Sequence, residues 1–302
     1  MTQVRFTHLL CTLLLSICSI AALASEAPKR VFDVHLHYNQ NHTGETTPEE
    51  AIDILRKQNV VYGVVSSTPP DLALELKAAD PKRILPLWRP YFDVASRHNW
   101  FNNKRVLPEA RKAMASGQYI GIGELHMVSG LGPTTRNEIL HSLVKLGVEY
   151  KRPLLIHTET SSYRYFLPVC KQHPRARFLW AHAGGRLGAT DVRALLKKCK
   201  NVWVEFSARD HWRYIEDPIV DAQGRLFDDW VKLIKDYPDR FMIGADPVWP
   251  VEYRDAWDQT DTGWDKYNDY LEFHRTWLRH LPKPLANKIR YDNAYQFFFG
   301  KY

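Results

Sequence analysis

Histidine and carboxylate side chains stand at or near the ends of five apolar segments of this sequence. The six candidates are His35, His37, Glu124, His157, His182 and Asp246. Imidazole and carboxylate groups together suit Zn²⁺, and also Mn²⁺ or Fe²⁺. A buried group of such side chains is costly unless a divalent cation compensates it. The set therefore predicts a metal site whose chemistry is the activation of a water molecule.

Each candidate taken alone has an ordinary structural explanation. A histidine that follows a strand can be a hydrogen-bonded core residue. Glu124 can cap a helix or pair with an arginine, and Asp246, which precedes Pro247, can begin a turn. The metal interpretation depends on the set, because its six members fall at the same end of five different apolar segments.

Other polar residues near the same segment ends could support the metal ligands or contact a substrate. We expect such a role for His126, Glu159 and Glu205.

Four further residues are candidates for substrate binding: Arg89, Arg186, Arg209 and Trp249. A guanidinium group at the mouth of the site suits a carboxylate or phosphate on the substrate, although each arginine could instead form a surface ion pair. The indole could stack on a flat substrate or pack within a loop.

The elements that must position these residues alternate between short β-rich segments and amphipathic helical patterns. The eight predicted strands are Val31–His37, Val60–Ser66, Ile84–Phe92, Tyr119–His126, Leu154–Thr158, Arg177–His182, Asn201–Ser207 and Phe241–Asp246. This alternation predicts a single α/β domain over residues 25–302, a (β/α)8 TIM barrel with an extra helical segment within residues 250–282. A doubly wound sheet is the alternative, but no GxGxxG follows the first strand.

A barrel brings the carboxyl ends of all its strands to one face, where catalytic residues of this fold lie. Strand side chains alternate, so His35 and His37 should point to the same side, into the barrel mouth.

The first 24 residues are predicted to be a secretory signal peptide. An apolar run from Leu9 to Leu23 ends in Ala22-Leu23-Ala24, which is typical of a cleavage site. An uncleaved membrane anchor is the alternative. We expect a periplasmic or secreted protein without stable membrane association after cleavage.

Cys170 and Cys199 then remain in an oxidising compartment, as a disulfide or as two buried thiols.

The overall composition is that of an ordinary globular protein. The chain has 302 residues, of which 45% are hydrophobic and 25% charged, and this excludes collagen, coiled coil and long disorder. Its net charge is +7, but the basic residues are scattered and form no long run. We therefore expect a small-molecule substrate rather than a nucleic acid. The composition gives no indication of the oligomeric state.

Several segments in order resemble the amidohydrolase superfamily, and most closely its amidohydrolase-2 branch. They are Phe32-Asp33-Val34-His35-Leu36-His37, Leu155-Ile156-His157, Trp180-Ala181-His182-Ala183-Gly184-Gly185, Gly244-Ala245-Asp246-Pro247 and Asn293-Ala294-Tyr295-Gln296-Phe297-Phe298. The resemblance covers residues 31–300. It implies one ion on His35, His37 and Asp246, and a second position facing His157 and His182. Glu124 stands where many members carry a carbamylated lysine, which permits one ion or two.

The residues and the resemblance together favour a secreted metal-dependent hydrolase. Its expected substrate is a small anionic molecule with an amide, lactone or ester bond. Asp246 would take the proton of the attacking water, and His182 would either bind metal or stabilise developing charge. A metal-dependent decarboxylase of an aromatic or unsaturated carboxylic acid is the alternative within the same branch. A binding protein without catalytic activity is a third hypothesis.

Overall fold

The protein is an eight-stranded parallel barrel in a computed structural model that describes residues 29–93, 95–159, 161–213, 217–250 and 259–300. The strands pair in chain order, each with the next. They are β1 (Val31–His37), β2 (Val60–Ser66), β3 (Ile84–Trp88), β4 (Gly121–His126), β5 (Leu154–His157), β6 (Phe178–Trp180), β7 (Val202–Glu205) and β8 (Phe241–Met242).

Backbone hydrogen bonds between β1 and the segment after β8 complete the ring. The amide of Val34 donates to the Ile243 carbonyl at 3.1 Å, and the amide of Asp246 donates to the His35 carbonyl at 2.8 Å. The predicted (β/α)8 architecture is therefore confirmed, with all strand carboxyl ends on one face.

The helices alternate with the strands along the chain. They are α1 (Pro48–Lys57), α2 (Leu72–Ala79), α3 (Val106–Ala115), α4 (Glu138–Glu149), α5 (Tyr163–Gln172), α6 (Ala189–Lys198), α7 (Asp228–Asp236), α8 (Tyr267–Leu278), α9 (Lys283–Asn287) and α10 (Asn293–Phe299). Helix α1 begins with a capping box, because the Thr47 hydroxyl accepts from the Glu50 amide and the Glu50 carboxylate accepts from the Thr47 amide. Helix α8 is the extra helix that the sequence predicted within residues 250–282.

Six of the eight strands, β3 to β8, are shorter than predicted, and two of these differences concern candidate metal ligands. Strand β6 ends at Trp180 instead of His182, and β8 ends at Met242 instead of Asp246. His182 and Asp246 have φ angles of 56° and 48°, in the left-handed region that an extended strand cannot contain. The chain therefore turns at both residues, and their positions at the barrel mouth come from turns rather than from strand alternation.

The amino-terminal face of the barrel is closed by apolar side chains. Phe32 and Val34 of β1 belong to one buried cluster with Met242 of β8 and with Ala294 and Phe297 of α10. A larger apolar cluster contains strand and helix residues that pack between the sheet and the surrounding helices. The barrel base is thus a stability element, which leaves the opposite face for chemistry.

The predicted signal peptide, residues 1–24, lies outside the described residues. Among the helices that the structure describes, none combines the length and the apolar character that crossing a bilayer requires.

A disulfide joins the carboxyl ends of two neighbouring helices. Cys170 in α5 and Cys199 at the end of α6 are bonded, with their Cα atoms 6.0 Å apart. Asn201, which precedes β7, donates to the Cys170 carbonyl at 3.1 Å, so the bond lies at the amino-terminal end of the barrel. Of the two states that the sequence left open, the structure has the disulfide.

Replacement of both cysteines by alanine is expected to lower the stability of the protein by roughly 3 kcal/mol. The bond closes a loop with a sequence separation of 29 residues, and its loss restores loop entropy to the unfolded chain. For a chain of this size, the expected fall in Tm is about 6–12 °C. Thermal unfolding with and without a phosphine reductant checks this. The reductant should bring the wild type to the Tm of the double variant and leave the variant unchanged. Equal Tm values for the two oxidised proteins would contradict the prediction.

Candidate metal centre

The six predicted ligands meet at the carboxyl end of the barrel. In each of the two β1 histidines, the ring nitrogen that faces away from the site forms a hydrogen bond that determines the tautomer. Nδ1 of His35 lies 3.0 Å from Oε1 of Glu205, and Nδ1 of His37 lies 2.7 Å from the Ser66 carbonyl oxygen. These oxygens can only accept, so both Nδ1 atoms carry hydrogen. The two Nε2 atoms, 3.2 Å apart, are therefore the atoms that would offer lone pairs to a metal ion at a shared point.

His157 and His182 repeat this arrangement from β5 and from the turn after β6. Nε2 of His157 lies 3.2 Å from Oε2 of Glu159, and Nδ1 of His182 lies 3.1 Å from the Ser207 carbonyl oxygen. Their inner atoms, Nδ1 of His157 and Nε2 of His182, are 3.1 Å apart. This second pair of nitrogens also faces inward.

Glu124 of β4 lies between the two histidine pairs. Its Oε1 is 2.8 Å from Nδ1 of His157 and 3.4 Å from Nε2 of His182. Its Oε2 is 3.4 Å from Nε2 of His37, and Oε1 is 3.7 Å from Nε2 of His35. One carboxylate thus contacts both pairs, which is the geometry of a bridging ligand.

Asp246 completes the first group. Its Oδ1 is 3.3 Å from Nε2 of His37 and 4.0 Å from Nε2 of His35. Within the described part of the chain, this buried oxygen has no hydrogen-bond partner. An orphaned buried carboxylate oxygen is expensive unless a cation or a proton occupies the position that it faces.

The electrostatics of the site agree with a requirement for positive charge. Burial raises the pKa of Asp246, but the neighbouring charges of His35 and His37 outweigh it and hold that pKa at about 2. Burial lowers the pKa of His157, whereas Glu124 and Glu159 raise it to about 9, so the net shift is upward. Without a metal ion, protons on the imidazole rings supply this positive charge, and binding of a metal ion would release them. The residues present therefore fit a divalent metal ion.

Contacts among the described residues give three groups of potential ligands. His35, His37 and Glu124 form one group, and Glu124, His157 and His182 form a second that shares Glu124 with it. The third group is His35, His182 and Glu205, and Glu205 meets His35 at its outer Nδ1. We call the six predicted residues the metal cluster.

The three supporting residues that the sequence suggested all contact the metal cluster. Glu205 is fully buried and accepts from both Nδ1 of His35 and the His182 amide, at 3.0 and 2.8 Å. The Glu159 carboxylate lies 3.2 Å from Nε2 of His157. Nε2 of His126 lies 3.8 Å from Oε2 of Glu124, and its Nδ1 is bonded to the Tyr91 hydroxyl at 2.7 Å.

Two of the predicted substrate arginines are buried beside the cluster. Arg89 donates to the Ser67 carbonyl and to Oδ1 of Asn39, at 3.1 and 2.9 Å, and its Nη1 is 3.8 Å from Oε2 of Glu124. Burial lowers the pKa of Arg89 to about 10, so it stays charged at neutral pH. Arg209 donates to the carbonyls of Leu187 and Asp217, at 3.2 and 3.0 Å.

Arg186 and Trp249 are half-buried and follow the ends of β6 and β8. Trp249 lies under the Lys266 ammonium group, which is 4.8 Å from its ring centre. It also lines a cavity of about 740 Å³ against Phe273 and Thr276 of α8. No member of the metal cluster is among the described residues that line this cavity.

Sequence reasoning missed Arg213 and Asp210 in the segment after β7. The side chains of both are almost fully buried, and the Arg213 guanidinium forms a bidentate pair with the Asp210 carboxylate, its shortest distance being 2.5 Å. Arg213 also donates to the carbonyls of Ala245 and Asp246, at 3.0 and 2.6 Å. The i,i+3 spacing of the two charges was the available signal, but it could not show that they face β8.

Asp33 is a second residue to which sequence reasoning gave no role. Its buried Oδ1 accepts from the amides of His35 and Ala245, at 3.0 and 3.1 Å, and its Oδ2 accepts from the Tyr267 hydroxyl at 2.7 Å. Burial raises the pKa of Asp33 to about 7, against the lowering effect of these hydrogen bonds. Its place two residues before His35 could have indicated it.

Comparison with known proteins gives a family match and several structural matches. A family model described as amidohydrolase matches residues 32–300. No curated protein matches the sequence. The fold is similar to a phosphotriesterase homology protein from Escherichia coli with phosphate in its active site. The TM-score is 0.59 at 11% identity, over 90% of this chain and 99% of that one.

Two further solved structures are similar at this level. One is an uncharacterised TIM-barrel protein from Bordetella bronchiseptica, with a TM-score of 0.56 and 14% identity over 82% of this chain and 81% of that one. The other is a zinc-bound amidohydrolase from Burkholderia multivorans, with a TM-score of 0.52 and 12% identity over 89% of this chain and 99% of that one. At these identities the likeness shows the fold.

Proposed function

Because this chain belongs to the amidohydrolase-2 family, we propose that it is a metal-dependent hydrolase of an amide, lactone or ester bond in a small anionic substrate. The observation that carries the proposal is the inward-facing donor set of the metal cluster. The inner nitrogens of four histidines and two carboxylates converge on two adjacent positions, and Glu124 contacts both. We propose two divalent ions there. Zn²⁺ suits mixed nitrogen and oxygen ligands, which also accept Mn²⁺ or Fe²⁺.

A divalent cation held by these residues would polarise the scissile carbonyl and lower the pKa of a water molecule from 15.7 to about 7. The chain supplies the remaining functions. We assign to Asp246 the acceptance of the water proton, because its Oδ1 faces the two Nε2 atoms of His35 and His37 and has no other hydrogen-bond partner in the described residues. The same group can then return the proton to the leaving group.

We assign His182 a ligand role rather than the stabilisation of developing charge. Its Nδ1 lies 3.1 Å from the Ser207 carbonyl oxygen and donates there, which leaves the inner Nε2 as the nitrogen that can offer a lone pair to a metal ion. A charge stabiliser would need that hydrogen on Nε2.

The anionic character of the substrate is inferred from the cations at the mouth. Arg89, Arg186 and Arg209 are our candidates to bind a carboxylate or phosphate on the substrate, and Trp249 is our candidate to stack on it. Export follows from the pattern of residues 1–24. The disulfide between Cys170 and Cys199 supports it, because such bonds persist in oxidising compartments.

The metal content of the mature protein tests the proposal first. Protein purified without chelators is expected to contain close to two equivalents of divalent metal by elemental analysis and to hydrolyse members of a panel of lactones, amides and esters. His37→Ala should lose metal and activity. His141→Ala is the matched control, because His141 pairs with His173 at 2.7 Å, outside the metal cluster, and it should keep both.

Other outcomes would redirect or reject the proposal. One equivalent of metal with release of CO₂ from an aromatic acid would replace the hydrolase with the decarboxylase alternative. Absence of metal after loading with Zn²⁺ or Mn²⁺ would reject a metal-dependent enzyme.

A further inference from the structure

We propose that Arg213, oriented by Asp210, is a positioning residue that fixes Asp246 in its metal-facing conformation. This inference rests on the proposed metal-dependent function, because it assigns Arg213 to the metal position that contains Asp246. Arg213 itself lies behind the carboxylate and is not one of the predicted ligands.

The segment that carries Asp246 needs support from outside its own strand. Strand β8 ends at Met242, and the residues up to Asp246 run without regular secondary structure. Asp246 then adopts a φ of 48°, a left-handed conformation that costs an aspartate free energy unless its surroundings hold it. Small changes in this turn would move the carboxylate relative to His35 and His37.

The amide side of the segment is held by β1. The Ala245 amide donates to Oδ1 of Asp33 at 3.1 Å, and the Asp246 amide donates to the His35 carbonyl at 2.8 Å. These bonds set the distance between this segment and β1. They do not fix the carbonyl groups of Ala245 and Asp246, so the peptide planes could still rotate.

Arg213 holds the carbonyl side. Its Nη2 donates to the Ala245 carbonyl at 3.0 Å and its Nη1 donates to the Asp246 carbonyl at 2.6 Å. One rigid planar group therefore spans two consecutive carbonyls, which a lysine ammonium could not match in the same geometry. The Val248 amide also donates to the Asp246 carbonyl, at 2.8 Å, and tightens the turn from the other direction.

The orientation of the guanidinium is itself determined. Nε and Nη2 of Arg213 bind Oδ2 of Asp210 at 2.7 and 2.5 Å, and the group lies 4.0 Å from the centre of the Tyr270 ring. Arg213 and Asp210 are both almost fully buried, so the pair is not free to swing into solvent.

The charge of Arg213 also selects between the two oxygens of Asp246. Its Nη1 is 3.9 Å from Oδ2, whereas Oδ1 points toward Nε2 of His37 at 3.3 Å. The Arg213 guanidinium thus keeps Oδ2 on its own side of the carboxylate and leaves Oδ1 facing the metal position. If Arg213 were lost, rotation of the carboxylate would compete with metal binding.

The test is a Zn²⁺ titration of metal-free protein in competition with a chromophoric chelator, carried out on wild type, Arg213→Met, Arg213→Lys and Asp210→Asn. Substitutions of groups that orient metal ligands weaken metal affinity by about 10–100-fold. We expect a loss of this size in one of the two equivalents for Arg213→Met, with the other equivalent within about twofold of wild type. Arg213→Lys and Asp210→Asn should fall between Arg213→Met and wild type.

Co²⁺ loading gives a spectroscopic readout that a general loss of stability would not move. The visible absorption of one Co²⁺ equivalent should change in Arg213→Met and that of the other should not. The matched control is Arg193→Met, which removes a surface arginine paired with Asp236 and should leave both equivalents unchanged.

Two results would overturn the inference. One is unchanged affinity and Co²⁺ absorption in folded Arg213→Met and Asp210→Asn. The other is an equal loss at both equivalents in proportion to the fall in Tm, which would indicate only a structural ion pair. Failure of the proposed function is distinguishable, because wild type and Arg193→Met would then bind one equivalent of metal or none.

Discussion

Glu124→Gln is expected to yield a folded protein that keeps no more than one equivalent of metal and loses about 10³-fold or more in kcat. The Glu124 carboxylate is the group that contacts both histidine pairs, with Oε1 at 2.8 Å from His157 and Oε2 at 3.4 Å from His37. An amide has one oxygen and no charge, so it cannot bridge two cations. Loss of the several kcal/mol that a metal contributes to catalysis corresponds to a rate change of this order.

The glutamine variant should remain folded for a physical reason. Glutamine has nearly the shape of glutamate, and its amide can accept a hydrogen bond from a protonated imidazole or donate one to an unprotonated ring nitrogen. Its Tm without metal should therefore stay close to that of metal-free wild type, whereas wild type should gain more stability from added Zn²⁺.

Three measurements check this prediction: elemental analysis, thermal unfolding with and without Zn²⁺, and the rates on the best substrate of the panel. Glu149→Gln is the control, because Glu149 pairs with Arg111 on the exposed surface. Two retained equivalents in Glu124→Gln would show that Glu124 does not bridge the positions, and the two-ion assignment would then be wrong.

Asp246→Asn is expected to lower kcat by about 10²–10⁴-fold while the substrate KM changes little. The asparagine oxygen can occupy the place of Oδ1, 3.3 Å from Nε2 of His37, but an amide cannot accept the water proton. The magnitude is that of a lost general base. Because the turn at Asp246 has a φ of 48°, asparagine is also the replacement that best tolerates this backbone.

The measurements for this variant separate proton transfer from metal loss. Steady-state rates should be compared at saturating Zn²⁺, together with the metal content of each protein. Asp236→Asn, which affects an exposed carboxylate paired with Arg193, provides the control. If Asp246→Asn retained its metal and more than about a tenth of the wild-type kcat, Asp246 would not be the proton acceptor.

The architecture could be predicted from the sequence to a large extent because its signals are local. Strands β1 and β2 have the predicted bounds, since near-continuous apolar runs are typical of strands buried on both faces. The capping box at Thr47 likewise lies within four consecutive residues. The predicted ends of β6 and β8 were wrong because apolar character continues past the point where the backbone turns.

The candidate ligands could also be named from the sequence, but their hydrogen-bond partners could not. His35 and His37 could be recognised from their alternation in one strand. That Glu205 holds His35 depends on a contact across 170 residues of sequence. Arg213 shows the same limit, because its spacing to Asp210 is local whereas its bonds to Ala245 and Asp246 join two different loops.

The sequence by itself determined the (β/α)8 class, the six candidate ligands and the expectation that they lie together at the carboxyl end of the barrel. These depend on hydrophobic periodicity and on residue chemistry, which a linear chain displays. Only the tertiary structure decided that Glu124 lies between the two histidine pairs, which nitrogen of each imidazole faces inward, and that Arg213 fixes the Asp246 turn. Those features depend on distances between segments far apart in the chain, which barrel closure sets to a few ångströms.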